Sequence, residues 1–174
     1  SWMHQENDFQ YGASSSFENL ESAHVDTVTG DFSWNPDSNL IDLKLKLWLN
    51  DSRINEFRES RLGTTPDTDI DMDTLSFGGV LDNTSIFDTP AGVVDVNFGA
   101  EAFRDDATSS ASSTSIALDP TWASRYTAFS PPGSRDVAGA FFNADWEAQD
   151  WLTLSGGLRY DWYRLHVPPT YYYE

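Results

Sequence analysis

The sequence predicts an all-β protein, an antiparallel meander of about six long strands. Two observations predict it. Apolar residues recur at every second position in segment after segment, with almost no helical period. The segments are also joined by connections that alternate between tight turns and long polar stretches.

The first strand, about residues 24–35, sets Val28, Gly30, Phe32 and Trp34 against Thr27, Thr29, Asp31 and Ser33. The second, about 40–54, is the clearest: Ile41, Leu43, Leu45, Leu47 and Leu49 oppose Asp42, Lys44, Lys46 and Trp48. Successive side chains of a strand point to opposite faces, so this strand has one aliphatic and one polar side. The third, about 73–88, is the least regular, because Val80 and Ile86 break the parity of Leu75, Phe77, Leu81 and Phe87. In the fourth, about 93–105, Val94, Val96, Phe98, Ala100 and Ala102 oppose Asp95, Asn97, Gly99 and Glu101. In the fifth, about 135–148, Ala138, Ala140, Phe142, Ala144 and Trp146 oppose Gly139, Asn143, Asp145 and Glu147. In the sixth, about 151–166, Leu152, Leu154, Leu158, Tyr160 and Trp162 oppose Thr153, Ser155, Arg159 and Asp161. Phe103 and Phe141 depart from the parity of their strands.

Residues 35–39 (NPDSN), 88–92 (DTPAG) and 147–150 (EAQD) have the composition of tight turns. Between the hairpins so formed lie polar stretches of about 56–72 and 104–135, the second holding a serine-rich run at 109–115 expected to be a loop tip. All short turns then fall at one end of the sheet and all long loops at the other. Trp34, Phe87, Trp146 and Trp151 sit beside the short turns, and Trp48, Phe103, Tyr160, Trp162 and Tyr163 near the opposite ends. Short turns below, long loops above and two aromatic bands are the layout of an outer-membrane barrel. On this reading Ile41, Leu43, Leu45, Leu47, Leu49, Phe142, Leu154, Leu158 and Trp162 face lipid. Asp42, Lys44, Lys46, Asp95, Glu101, Arg159 and Asp161 face the lumen. A soluble β-rich extracellular binding module is the alternative; it would show strands of about 5–6 residues and bury the aliphatic face under a second sheet.

Composition narrows the function. The 174 residues include 28 acidic and 10 basic side chains, a formal net charge of -18, which would repel nucleic acid. There is no cysteine, so neither disulfides nor thiolate metal sites are expected. A mean hydropathy of -0.48 suggests a water-soluble chain, but barrel strands are apolar only at alternate positions and escape window averages. No apolar run approaches the roughly 20 residues of a membrane helix. The first residues, SWMHQENDF, have neither the basic nor the apolar region of a signal peptide. If the protein is exported, the expectation is that its signal lies upstream and the chain is a fragment.

No Gly-x-Ser-x-Gly or His-Glu-x-x-His motif is present, so no enzyme is predicted. Asp67, Asp69, Asp71 and Asp73 alternate, but a calcium loop starting at Asp67 would need Gly and Glu where Met72 and Gly78 stand. The run reads instead as an acidic strand extension, and no metal site is assigned. Gly78-Gly79 and Gly156-Gly157 lie inside strands without a following helix, which excludes a phosphate loop and suggests close packing in the wall.

Three stretches resemble the TonB-dependent receptors, particularly their haemoglobin/haem (transferrin/lactoferrin) subfamily. WNPDSNLIDLKLKLWLN resembles a strand, periplasmic turn and strand of that group; LDNTSIFD, with Asp82, Asn83 and Thr84, resembles its Asp-x-x-Asn-Thr-Ser stretch. A third match runs through Phe129, Pro131, Gly133, Arg135, Trp151 and Leu152 to Gly157, Leu158, Arg159, Tyr160 and Asp161. The resemblance implies a section of a 22-stranded, plugged transporter that imports a bulky ligand with energy relayed by TonB. The chain would be an interior part of that barrel, residues 1–174, without the plug. Haem, or iron from haemoglobin, is then the expected cargo rather than a cofactor bound by this section; a siderophore receptor or another barrel such as a porin is the alternative. The implied partners are outer-membrane lipid, the receptor's own plug, TonB and a haem-bearing ligand. His166, His24, Trp122 and Tyr126 are the loop-region candidates for ligand contact, although none lies in the subfamily's haem-loop motif.

Overall fold

The computed structural model describes residues 1–11, 17–60, 67–113 and 132–168. They form seven strands: β1 (Trp2–Tyr11), β2 (Phe17–Ser38), β3 (Ile41–Ser60), β4 (Thr68–Thr89), β5 (Gly92–Ser113), β6 (Gly133–Gln149) and β7 (Leu152–His166). The strands lie side by side in chain order in one sheet, each antiparallel to the next. No helix occurs among the described residues.

The six expected strands are β2 to β7, and β1 is an addition. It was missed because neither of its faces is apolar: Trp2, His4, Glu6 and Asp8 alternate with Met3, Gln5 and Asn7. Its ladder with β2, from Trp2 opposite Val28 to Tyr11 opposite Asn19, rests on backbone pairing instead. The other strands run to 15–22 residues, beyond the roughly 9–11 that cross a bilayer. Backbone hydrogen bonds carry the ladders past the apolar band into polar sequence. The expected loops shrink accordingly. Residues 109–113, expected in a loop tip, pair with β4 from Met72 to Thr68.

The short turns fall at 39–40, 90–91 and 150–151, the first and last at the ends of the expected segments, and residues 35–38, expected in the first turn, belong to β2. Asp37 takes a left-handed φ of 49° where β2 bulges between Trp34 and Ser38. Gly92 has φ 118°, a conformation that a side chain would strain, and the Thr89 hydroxyl closes that turn by donating to the Gly92 carbonyl at 2.7 Å. Ser85 to Thr89 pair with β5 but extend past the last β3 partner, Asp42 opposite Thr84. Hairpins stepped in this way are the stagger of a tilted barrel wall.

Register fixes the faces. One cross-strand row runs Trp34, Leu43, Asn83, Phe98, Phe142, Leu158, and the next runs Phe32, Leu45, Leu81, Ala100, Ala140, Tyr160. Among the described residues, this aliphatic face has no second layer. Ile70, 5% exposed, is the one buried hydrophobic side chain among the described residues, whereas Leu47, Phe32 and Leu158 are 51%, 56% and 79% exposed.

The upper aromatic band needs correction. Trp48, Phe103 and Tyr163 lie in one row with Gly78 and Val137 on the polar face, and only Tyr160 and Trp162 of that group lie on the aliphatic face. Height along the strand was legible in the sequence, but parity separates the two sets. The polar-face row also accounts for Phe103, one of the parity exceptions. Its ring packs against Trp48 with centroids 6.5 Å apart, across the space that Gly78 leaves empty.

Candidate functional site

Among the described residues, three groups of polar side chains and a histidine cluster carry the chemistry of this sheet. The first lies on the polar face at the level of the aliphatic band. Lys44 bonds Asp42 at 3.0 Å, and Lys46 lies 3.9 Å from Asp31, its cross-strand partner. The Asn97 amide donates to Thr84 at 3.2 Å and to Asp82 at 3.5 Å. Arg159 pairs with Asp161 at 2.8 Å and reaches over β6 to Glu101, where the missing side chain of Gly139 leaves the path open. The pairs act within one strand or across one or two ladders, so Lys44, Lys46 and Arg159 are each held by carboxylates of this polar wall. All seven residues assigned to the lumen, Asp95 included, share it; the nine assigned to lipid share the other.

The second group ties the lower turns. The Asn83 side chain accepts from the Asp42 amide at 3.1 Å and donates to the Leu40 carbonyl at 3.0 Å and to Ser85 at 2.9 Å. Ser85 donates to the same Leu40 carbonyl at 2.8 Å. Asn83 and Ser85 are nearly solvent-free, 9% and 5% exposed. The Asp-Asn-Thr-Ser stretch thus does local work: its Asn and Ser clamp the β2–β3 turn, while Thr84 and Asp82 join the polar wall.

The third group occupies the strand extensions beyond the apolar band. Arg135 bonds Asp105 at 2.5 Å, with its guanidinium 5.4 Å from the Phe103 ring centroid. Arg104 bonds Asp106 at 2.8 Å and Asp136 at 3.3 Å, which holds the Asp106 carboxyl below its ordinary range and pushes the guanidinium up. Arg53 bonds Asp51 at 2.8 Å. The acidic run reads as a strand extension: Asn55 donates to Asp69 and to Asp71, each at 2.8 Å.

The histidines separate. His166 is exposed at the end of β7, opposite Ser134, and sits at the far side of the sheet from His24 in β2. Trp122 and Tyr126 lie outside the described residues, as do Phe129 and Pro131. His24 instead meets His4: their ring centroids are 4.5 Å apart, and both rings bond Asp26, at 2.8 Å from His4 and 3.2 Å from His24. The bond from His4, helped by that from His24, holds the Asp26 carboxyl below its ordinary range. Glu6 stands opposite His24. Alternation in the sequence does not mark this grouping, because His4 and His24 meet only through the register of β1, whose two faces are both polar.

A stepped antiparallel meander with one bare aliphatic face and one polar face is a section of barrel wall. The chain belongs to the TonB-dependent receptor β-barrel family: the model described as "TonB dependent receptor-like, beta-barrel" matches residues 3–172. The family is one of transport receptors, not enzymes. Among solved structures, the chain is similar to a double mutant of the Serratia marcescens hemophore receptor HasR, solved with its hemophore HasA and haem. That likeness has 26% identity and a TM-score of 0.63, covering 94% of this chain and 22% of that one. It is also similar to the copper transporter OprC, at 16% identity and a TM-score of 0.62, covering 92% of this chain and 28% of that one. The chain therefore spans about a quarter of these structures' length. No curated protein matches it.

Proposed function

We propose that the chain forms part of the barrel wall of an import receptor in the outer membrane of a Gram-negative bacterium, driven through TonB, with haem, free or carried by a protein, as its cargo. The observation that carries the membrane reading is the aliphatic face, left uncovered among the described residues: a sheet whose described residues include one buried hydrophobic side chain gains its stabilisation from lipid. Ile41, Leu43, Leu45, Leu47, Leu49, Phe142, Leu154, Leu158 and Trp162 then meet acyl chains. Asp42, Lys44, Lys46, Asp95, Glu101, Arg159 and Asp161 line the interior and touch the plug. Lys44, Lys46 and Arg159 already have acidic partners, so their role is in the wall rather than on the cargo.

Haem is favoured by the 26% identity with the hemophore receptor over nearly the whole chain, whereas the 16% likeness to the copper transporter speaks to the fold alone. His24 is drawn into a cluster with His4, which leaves His166 as the described histidine nearest the role of a haem contact. The test is haem titration of the complete receptor in detergent, followed by absorbance near the Soret band. A saturable shift is expected; a spectrum that stays that of free haem removes the haem assignment.

A further inference from the structure

We propose that His4, Glu6 and His24 form a binding site for one divalent late transition-metal ion on the extension of the β1–β2 hairpin, with Asp26 positioning both imidazoles. Antiparallel register builds the site: His4 faces Asp26 and Glu6 faces His24 in adjacent rows of one face. One ligand atom from each of His4, Glu6 and His24 lies within 4.8 Å of the others. Small side-chain rotations close that spacing to the separations set by metal bonds of about 2.0–2.2 Å. Two imidazoles and a carboxylate suit zinc or copper, and they are a poor set for calcium or magnesium, which take oxygen ligands.

Asp26 gives the arrangement its direction. Its two oxygens take one nitrogen from each ring, at 2.8 Å from His4 and 3.2 Å from His24. An imidazole has two ring nitrogens, so a ring held at one can bind an ion through the other, and a carboxylate in that place fixes its orientation. Trp2 stacks on His4 with ring centroids 6.0 Å apart, limiting that ring further. Charge agrees: Glu6 and Asp26 offset a doubly charged ion. Arg53, opposite His24 on β3, is the neighbouring cation, but its guanidinium is turned to Asp51 at 2.8 Å. The site shares its face with the aliphatic row, two and four residues past Val28 on β2, so it lies on the side away from the polar wall. It is independent of the cargo's identity. The bound ion would clip β1 to β2 above the apolar band.

The test uses the complete receptor in detergent, stripped with a chelator and titrated with Zn2+ against a chromophoric competitor. Wild type should bind one equivalent more than His4→Ala and His24→Ala, and His166→Ala should match wild type. Asp26→Asn should weaken binding by about 10–100-fold, the usual effect of losing a carboxylate that orients a ligand. Ca2+ should not displace the Zn2+. Retention of the wild-type stoichiometry in both histidine variants, or displacement by equimolar Ca2+, would overturn the site. These side chains are partly exposed, so the variants should fold. Cu2+ offers a second readout: its paramagnetic resonance spectrum should carry coupling to two imidazole nitrogens, and a spectrum from oxygen ligands alone would equally overturn the proposal.

Discussion

Glycines in this wall differ in what surrounds them. A Cβ on Gly78 would run into the Phe103 side chain, lie 2.6 Å from the Ala102 carbonyl oxygen and 2.7 Å from the Trp48 ring. A Cβ on Gly30 would meet nothing within 4 Å. Gly78→Ala should therefore destabilise the folded receptor by about 1–3 kcal/mol, the usual cost of overpacking. Gly30→Ala should stay within about 0.5 kcal/mol of wild type. The temperature at which the barrel unfolds on detergent gels distinguishes them, and equal temperatures for the two variants would refute the account. The sequence suggested close packing at Gly78-Gly79 and at Gly156-Gly157 alike. The structure separates them: Gly156 is open, while Gly157 abuts Asn143. Sequence cannot show which residue stands across a ladder.

Hairpins are held at their lower ends by side chains as well as by turn geometry. Asn83 is a β4 residue serving the β2–β3 turn, through the Asp42 amide and the Leu40 carbonyl. Asn83→Ala would strip the partly buried Asp42 amide of its side-chain partner, with a cost of about 1–3 kcal/mol. Ser85 still bonds the Leu40 carbonyl in that variant, so the loss should show mainly as faster hydrogen exchange at the Asp42 amide. Unchanged exchange there would show that the clamp does not hold the turn. At this scale the sequence was most legible in β3, where five aliphatics alternate with charge. It was least legible in β1 and in the upper halves of β3, β4 and β5. There polar residues occupy both faces, so pairing rests on backbone groups that leave no pattern in side-chain type. The cluster at His4 and His24 was hidden for the same reason.

The whole sheet has almost no interior of its own. Its aliphatic side needs an apolar medium, and β1 and β7 each leave one edge unpaired within the described sheet. The isolated chain should aggregate in water and become monodisperse in detergent, as read by size-exclusion chromatography; a stable, water-soluble monomer would contradict the membrane reading. Within the complete receptor, Leu45→Arg should cost about 2–4 kcal/mol at mid-membrane and reduce assembled barrel. Lys46→Arg, on the opposite face, should assemble like wild type. Equal assembly of both would mean that the two faces are not distinguished by lipid.

The two ladder irregularities bear on how such a wall tolerates insertions and deletions. Between Trp34 and Ser38, β2 spends four steps where β3 spends two, from Leu43 to Ile41, so an even number of extra residues is absorbed without exchanging inside for outside. The odd extra residue, between Glu147 and Gln149, sits at the last pair before the β6–β7 turn, where almost nothing lies beyond it to be inverted. A one-residue deletion near Leu81 would instead turn the rest of β4 over, presenting charge to lipid and aliphatics to the interior. Strand length in this protein can therefore change freely only in steps of two, or at the very tip of a hairpin.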